Sequence, residues 1–438
     1  MTNDIRILIY AIIILTFTSF LLQYPFHLQY YNQINDAKDY MQASRWLFES
    51  EHFASASRPF LFPLLIGIPY LFGLSDSEYF VAILNFLFWL CTIGLLYNIV
   101  KNFASEKISF IISTIFASCL SLHCYMFFIT TENFYTFLLM AHVSTIYKYI
   151  TTLNSKWLYL SIWLLGATVV VRPTLTYFVL ASLLVVVLFT IFKKISFKKF
   201  LIITFLLFST IGIQSINMYR STGSLKVSYI GHLAWYLYSG AYSINLLKYP
   251  NQSIDFYAKK WADEKVTREK INLSIFNEKR NYSKLPEIEK IINQDIKMQF
   301  SENKAGITFT FLRNLFVNSR SGTQYVISAI NGFQIPYFSL FKTFFLKISQ
   351  IQNILNSFLV LIFLPIFFIF QYKQLKKRDK DAFYVALYSW TLAFSIMMFS
   401  TASFTQGDRF HVVTVPLTLF SVSLIFFSKK RTLNASYN

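Results

Sequence analysis

The chain is poor in charge and in cysteine. Charged residues make up only 14% of its 438 residues, whereas apolar residues make up 55% and the mean hydropathy is +0.46. So little charge excludes an ordinary soluble domain, because there would be too little polar surface to cover so many apolar side chains. The three dispersed cysteines, Cys91, Cys119 and Cys124, exclude a disulfide framework and have no metal-ligand spacing.

Acidic residues are scarce as well. There are 21 Asp and Glu against 40 Lys and Arg, which gives a net charge of +19. In a soluble protein this excess would suggest nucleic-acid binding. Here the basic residues form short clusters between apolar runs, at 193–199, 373–380 and 429–431, as is typical of the cytoplasmic loops of membrane proteins. No nucleic-acid partner is therefore expected.

The sequence contains no internal repeat, no low-complexity tract and no convincing cleavage site after its first apolar run. The missing repeat argues against many transporter folds, which are built from paired repeats. The missing cleavage site predicts that the first run is retained as a membrane anchor.

Apolar runs of about 20 residues are abundant, and each is long enough to cross a bilayer. They predict an all-α, polytopic membrane protein with about ten spans, in a range of nine to twelve. The predicted spans are 5–23, 79–100, 108–128, 133–150, 157–172, 174–192, 200–217, 352–371, 382–400 and 410–428. The stretch 58–73 is broken by three prolines and a glycine, so it predicts short interfacial helical turns instead.

The distribution of Lys and Arg predicts a cytoplasmic N-terminus, because every basic cluster in a short loop then lies on one side. Three units follow from this topology. Residues 1–217 form an N-terminal transmembrane module whose first outer loop is 24–78, residues 218–351 form a long outer loop, and residues 352–438 form a C-terminal transmembrane module. Amphipathic helices broken near Pro286 are expected in the long loop. Its stretches 307–320 and 325–345 are apolar enough to lie on the membrane or to add a span.

Ionisable residues collect on the predicted outer face. They are Asp36, Asp39 and Arg58 in the first loop, Glu132 and Arg172 in two later turns, and Asp408, Arg409 and His411 in the last turn. Each has an ordinary explanation: Asp39 is expected to be solvated, Glu132 fits the first turn of a helix, and arginines at span ends reach toward lipid headgroups. Together, carboxylates and arginines at one membrane depth suggest a site for an anionic headgroup and a proton acceptor.

The order of these motifs resembles the GT-C superfamily of integral membrane glycosyltransferases. The closest pattern is the branch of protein O-mannosyltransferases and lipid A aminoarabinose transferases, similar to glycosyltransferase family 39. The resemblance rests on "DAKDY" (Asp36 to Tyr40), "SRPFLFP" with Arg58, "TEN" with Glu132, "RPT" with Arg172, and "DRFHVVTVP" with Arg409 and His411. It covers the first two-fifths of the chain and the last outer turn. "DAKDY" lacks the adjacent acidic pair typical of protein mannosyltransferases, so a glycan or lipid acceptor is at least as well supported as a protein.

The resemblance implies a sugar transferase that uses a polyprenyl-phosphate-linked donor and a cell-envelope acceptor at the outer face of a bacterial or archaeal plasma membrane. By motif position Asp36 is the general base, and Glu132 orients the acceptor or tunes Asp36. Arg58, Tyr40, Arg172, Arg409 and His411 are the candidates for binding substrate and phosphate. A single displacement predicts inversion at the anomeric carbon. No cofactor is required, although a divalent cation held weakly by Asp36 and Glu132 would suit oxygen ligands.

Two other functions are compatible with a polytopic chain of this kind. A polysaccharide polymerase of the O-antigen type usually carries its key arginines within the large loop and lacks an acid directly after the first span. A flippase or other transporter of lipid-linked oligosaccharides needs polar residues near the bilayer midplane. The polar residues here gather at one rim instead. A purely structural scaffold would leave the four polar outer loops unexplained.

Overall fold

The computed structural model describes residues 3–22, 35–49, 55–74, 78–126, 128–192, 196–276, 282–322, 338–370, 380–402 and 407–427. Within these ranges the chain is helical and forms no β-strand, which confirms the all-α prediction. Helices suit a chain of this composition, because a helix pairs its backbone polar groups internally where lipid offers no hydrogen bonds.

The N-terminal module contains ten helices within the described residues. They are α1 (Asn3–Leu22), α2 (Asn35–Glu49), α3 (Leu61–Ile66), α4 (Glu78–Lys101), α5 (Glu106–Ala117), α6 (Leu120–Met126), α7 (Glu132–Thr152), α8 (Ser155–Val171), α9 (Thr176–Ile191) and α10 (Phe197–Thr222). Polar residues cap three of them: the side chains of Ser105, Asn154 and Ser196 accept backbone N–H groups from the first turns of α5, α8 and α10. Such caps fix where each helix begins.

Fewer helices could cross a membrane than the ten predicted spans, so the expected range of nine to twelve is not reached. Among the described residues four are long and apolar enough, or up to six if each of two bent helix pairs counts as one span. The chain bends by 58° between α5 and α6, and by 117° between α8 and the helix that follows Pro173. Other predicted spans are shorter apolar helices, such as Val412–Phe427. Short apolar runs are equally suited to the interior of a helical protein.

The stretch 58–73 forms two short helical pieces, as predicted. Helix α3 is followed after Gly67 by a 3-10 helix, Ile68–Phe72. Ser44 Oγ of α2 donates a hydrogen bond of 2.9 Å to the carbonyl oxygen of Pro63. Gly67 permits this close approach, because a Cβ atom there would lie 2.3 Å from the ring of Phe48. Helix α2 is therefore held directly against the segment that follows residue 58.

The long loop folds into a helical unit. Its helices are α11 (Ile230–Ala234), α12 (Ala241–Lys248), α13 (Ile254–Phe276), α14 (Leu285–Glu302) and α15 (Lys304–Arg320), with a π-helical turn, Trp235–Gly240, between α11 and α12. Pro286 lies in the first turn of α14, where proline is tolerated, so the predicted break is confirmed. The stretch 307–320 lies within α15, whereas most of 325–345 lies outside the described residues.

The C-terminal module contains α16 (Phe338–Phe358), α17 (Lys380–Phe399), α18 (Gly407–Phe410) and α19 (Val415–Phe427). Helix α16 continues through a π-helical turn, Leu359–Phe363, and the whole segment Thr343–Phe370 is a candidate span. Helices α17 and α19 pack together and join α7 in one hydrophobic core with the N-terminal module. This packing brings the turn that holds Arg58 and the turn that holds Arg409 to the same place.

Candidate active site

Six charged side chains form a continuous chain of ion pairs in which acids and arginines alternate. Arg58 Nη2 lies 3.0 Å from Asp39 Oδ2 and 2.7 Å from Asp36 Oδ1. Arg409 Nη1 pairs with the other oxygen of Asp36, and Arg409 Nε lies 2.7 Å from Glu132 Oε1. Arg172 Nη2 lies 3.5 Å from the same Glu132 oxygen. We call the order Asp39, Arg58, Asp36, Arg409, Glu132 and Arg172 the ion-pair chain.

Helix ends supply most of these charges. Asp36 lies in the first turn of α2, and Glu132 is the first residue of α7. Both carboxylates are thus placed where the positive end of a helix dipole favours negative charge. Arg172 follows the last residue of α8 in an extended conformation, directly before Pro173, which cannot continue the helix. Arg409 lies in the short helix α18.

The side chains of the three acids differ in how far they are exposed to solvent. The side chain of Glu132 is 0% exposed, that of Asp36 is 18% exposed, and that of Asp39 is 50% exposed. Asp36 can therefore meet a ligand while still paired with two arginines, whereas Glu132 acts through Arg409 and Arg172. Asp39 was expected to be solvated, and it is half exposed, but it also pairs with Arg58.

Asp36 is ionised in this arrangement. Burial alone would raise the pKa of its carboxyl group, but the guanidinium groups of Arg58 and Arg409 more than offset that effect. The pKa of Asp36 is held below its usual range as a result. A carboxylate that keeps its negative charge is ready to accept a proton, although two cations restrain its basicity while they remain bound to it.

Aromatic rings support two of the arginines. The guanidinium carbon of Arg58 lies 4.7 Å from the centre of the ring of Tyr40, which is buried. The guanidinium of Arg172 lies 4.6 Å from the ring of Phe410, and its Nη1 donates a hydrogen bond of 3.1 Å to the carbonyl oxygen of Arg409. The rings of Tyr40 and Phe410 thus pack against Arg58 and Arg172 and help to hold these two members of the ion-pair chain in place.

His411 does not join the ion-pair chain, although it was predicted to bind substrate with its neighbour Arg409. Its side chain is fully buried. Its Nδ1 lies 2.9 Å from the hydroxyl of Ser357, and its Nε2 lies 3.1 Å from the hydroxyl of Ser400. Since both ring nitrogens have protein partners, His411 fastens the turn that carries Arg409 to α16 and to the end of α17.

The helices of the long loop hold both arginine-bearing segments. On one side, Tyr229 N donates a hydrogen bond of 3.0 Å to the carbonyl oxygen of Ala56, two residues before Arg58. On the other side, Asn314 Nδ2 of α15 donates a hydrogen bond of 2.9 Å to the carbonyl oxygen of Thr401. The loop unit therefore bridges the two arginine-bearing turns and restrains the site that they form.

Tyr238 is a candidate site residue that the sequence did not reveal. It lies in the π-helical turn, where Trp261 Nε1 donates a hydrogen bond of 3.2 Å to its carbonyl oxygen. Its half-buried hydroxyl forms no hydrogen bond with any described residue. Burial raises the pKa of this hydroxyl, and the charges of Lys265, Asp36, Glu269 and Arg409 act on it as well. The aromatic run "AWYLYSGAY" is the only sequence signal, and it specifies no function.

A divalent cation at Asp36 and Glu132 would compete with Arg409. The guanidinium of Arg409 already contacts both carboxylates. No cluster of three or more His, Cys, Asp or Glu side chains suited to a metal ion occurs among the described residues. A cation would therefore have to displace Arg409 before the two carboxylates could bind it, and water or a substrate phosphate would have to complete its coordination.

Comparison with known families agrees with this geometry. Residues 57–213 match the model of the family described as dolichyl-phosphate-mannose-protein mannosyltransferase. The resemblance to the GT-C superfamily is thereby confirmed. Three members of the ion-pair chain, Arg58, Glu132 and Arg172, lie within the matched segment. No curated protein and no solved structure matches the chain significantly. With its apolar candidate spans, the family match supports an integral membrane glycosyltransferase.

Proposed function

We propose that the protein transfers a sugar from a polyprenyl-phosphate carrier to a hydroxyl group of a cell-envelope acceptor, at the outer face of the membrane. The ion-pair chain is the observation that carries this proposal. It places one partly exposed carboxylate, Asp36, between two arginines, Arg58 and Arg409. A glycosyl transfer from a lipid phosphate needs both kinds of group at one point: a proton acceptor for the incoming hydroxyl and cations for the leaving phosphate.

Binding of the donor would rearrange these pairs. A phosphate oxygen is a good bidentate partner for guanidinium, so Arg58 and Arg409 can exchange part of their contact with Asp36 for contact with the phosphate. Loss of those contacts would let burial raise the pKa of Asp36 and strengthen it as a base. The donor itself would thus activate the carboxylate that deprotonates the acceptor.

The reaction is a single displacement. Asp36 takes the proton of the acceptor hydroxyl as its oxygen forms a bond to the anomeric carbon. The bond between that carbon and the phosphate oxygen breaks, and the electron pair leaves on the lipid phosphate, whose charge the arginines stabilise. The acceptor and the phosphate occupy opposite faces of the sugar, so the configuration inverts. Glu132 positions Arg409 and Arg172 without touching the substrate.

A comparison in cells tests this function. Asp36→Asn should accumulate polyprenyl-linked sugar and reduce one surface glycan, glycolipid or glycoprotein. Asp39→Asn is the matched control, because Asp39 also pairs with Arg58 but is half exposed at the end of the ion-pair chain. A stably inserted Asp36→Asn protein with unchanged surface sugars and unchanged carrier lipids would refute the proposal.

A further inference from the structure

A groove of about 490 Å³ lies on the side of the long-loop unit that adjoins the C-terminal module. Helix α15 contributes Phe316 and Arg320 to it, and helix α16 contributes Lys347, Ile351 and Ile354. The three residues of α16 follow one another at spacings of four and three, so they lie along one face of the helix. The groove thus has basic groups on both walls and an apolar stripe along one of them.

The two basic groups are available to an anion. Neither Arg320 nor Lys347 forms an ion pair with an acid in the part of the chain that the structure describes, and both side chains are exposed. The guanidinium of Arg320 lies 5.1 Å from the ring of Phe316, which aligns it with the groove. A ligand between the two cations would gain two charge-assisted contacts.

The apolar wall belongs to a membrane span. Lys347, Ile351 and Ile354 all lie within the candidate span Thr343–Phe370. Lys347 is four residues from the start of this segment, roughly 6 Å along a helix, which corresponds to the depth of lipid headgroups. Phe316, Ile351 and Ile354 are 61%, 55% and 43% exposed. Hydrocarbon chains of a lipid would cover these surfaces.

Two residues of the groove, Phe316 and Arg320, lie on the face of α15 opposite the turn that precedes Arg409. Asn314 and Asn318 of α15 donate hydrogen bonds to the carbonyl oxygens of Thr401 and Ser400, in the turn that precedes Arg409. Phe316 is two residues from each asparagine, about 200° around the helix, and therefore lies on the opposite face. A lipid held at Phe316 and Arg320 would be separated from that turn by the width of α15.

We propose that this groove binds an anionic phospholipid of the surrounding bilayer. Its phosphate contacts Arg320 and Lys347, and its acyl chains lie against Phe316, Ile351 and Ile354. Such a lipid joins α15, which holds the turn before Arg409, to the membrane-spanning α16. This binding site is independent of the sugar transfer proposed above.

Native mass spectrometry of the purified full-length protein in detergent tests the site. The probes are phosphatidylglycerol, which is anionic, and phosphatidylcholine of the same acyl chains, which is neutral overall. Wild type should bind phosphatidylglycerol at least fivefold more tightly. The double variant Arg320→Ala/Lys347→Ala should weaken phosphatidylglycerol binding roughly 25-fold, because each basic residue near an anionic lipid contributes a factor of about five. It should weaken phosphatidylcholine binding much less, because the choline group of that lipid offsets the charge of its phosphate.

The matched control is Lys259→Ala/Lys290→Ala, which removes two exposed lysines from α13 and α14. It should change phosphatidylglycerol binding less than twofold. Equal binding of the two lipids by wild type would overturn the proposal even if no variant folded. Equal weakening in the control would also overturn it, because the effect would then reflect net charge. Displacement of phosphatidylglycerol by a lower concentration of polyprenyl monophosphate would assign the groove to the carrier lipid instead.

Discussion

Replacing Glu132 with glutamine should destabilise the protein while leaving the shape of the site unchanged. The Glu132 side chain is completely buried, and one of its oxygens contacts both Arg409 and Arg172, at 2.7 and 3.5 Å. An uncharged amide leaves these two buried cations with less counter-charge. Removing one partner of a buried ion pair typically costs about 3–5 kcal/mol. In the variant Arg409 still pairs with Asp36, and Arg172 still donates to the carbonyl oxygen of Arg409. We therefore expect a loss of stability at the lower end of this range, about 3 kcal/mol.

Thermal unfolding in detergent, followed by tryptophan fluorescence, measures this cost. A loss of about 3 kcal/mol corresponds to a fall in Tm of roughly 6 °C for a large domain. The control is Asp263→Asn, the same carboxylate-to-amide change in an exposed pair with Lys260 at 3.6 Å. That variant should change stability by no more than about 0.5 kcal/mol. Equal Tm values for the two variants would refute a stabilising role for the buried ion-pair chain.

Three further outcomes are expected. Arg409→Lys should reduce sugar transfer at least 100-fold in a donor-turnover assay. The single ammonium group of lysine cannot reproduce the planar guanidinium group that contacts Asp36 and Glu132 together. Near-normal turnover would contradict this prediction. Tyr238→Phe should raise KM or lower kcat about 10-fold with wild-type Tm, as expected for a lost hydrogen bond to a charged substrate; unchanged kinetics would remove Tyr238 from the site. Arg58→Gln should move the acid limb of the pH–rate profile to higher pH. The variant has one cation fewer to offset the effect of burial, so the pKa of Asp36 rises. An unshifted acid limb would show that Asp36 is not the group that titrates.

The motif residues were predictable from the sequence, but their pairing was not. Asp36 and Arg409 are separated by 373 positions, and Glu132 and Arg409 by 277. The topology predicted from the sequence puts all three on one face of the membrane, yet nothing local indicates that Arg409 bridges the two acids. The pairing depends on how α18 packs against α15 and α17. It also depends on the turn at residues 400–402, which Asn314 and Ser239 hold from the long loop.

Other sequence predictions were incomplete because they also depend on tertiary packing. Sequence proximity to Arg409 suggested a binding role for His411, but packing turns its ring toward Ser357 and Ser400. Hydropathy alone treats every apolar run as a potential span, and it does not detect the bends between α5 and α6 or at Pro173. The break between the loop helices near Pro286 was predictable, because proline is a local signal. The position of Tyr238 is set by tertiary packing, so no local sequence pattern identified it as a site residue.

Sugar transfer and donor binding measured side by side in the purified protein test the role of Asp36 most directly. Asp36→Asn should bind a polyprenyl monophosphate at least as tightly as wild type, since Arg58 and Arg409 lose a competing carboxylate. The same variant should release polyprenyl phosphate from the sugar-linked donor at least 100-fold more slowly, as expected when a general base is removed. Normal release by the folded Asp36→Asn protein would contradict the assignment of Asp36 as the base.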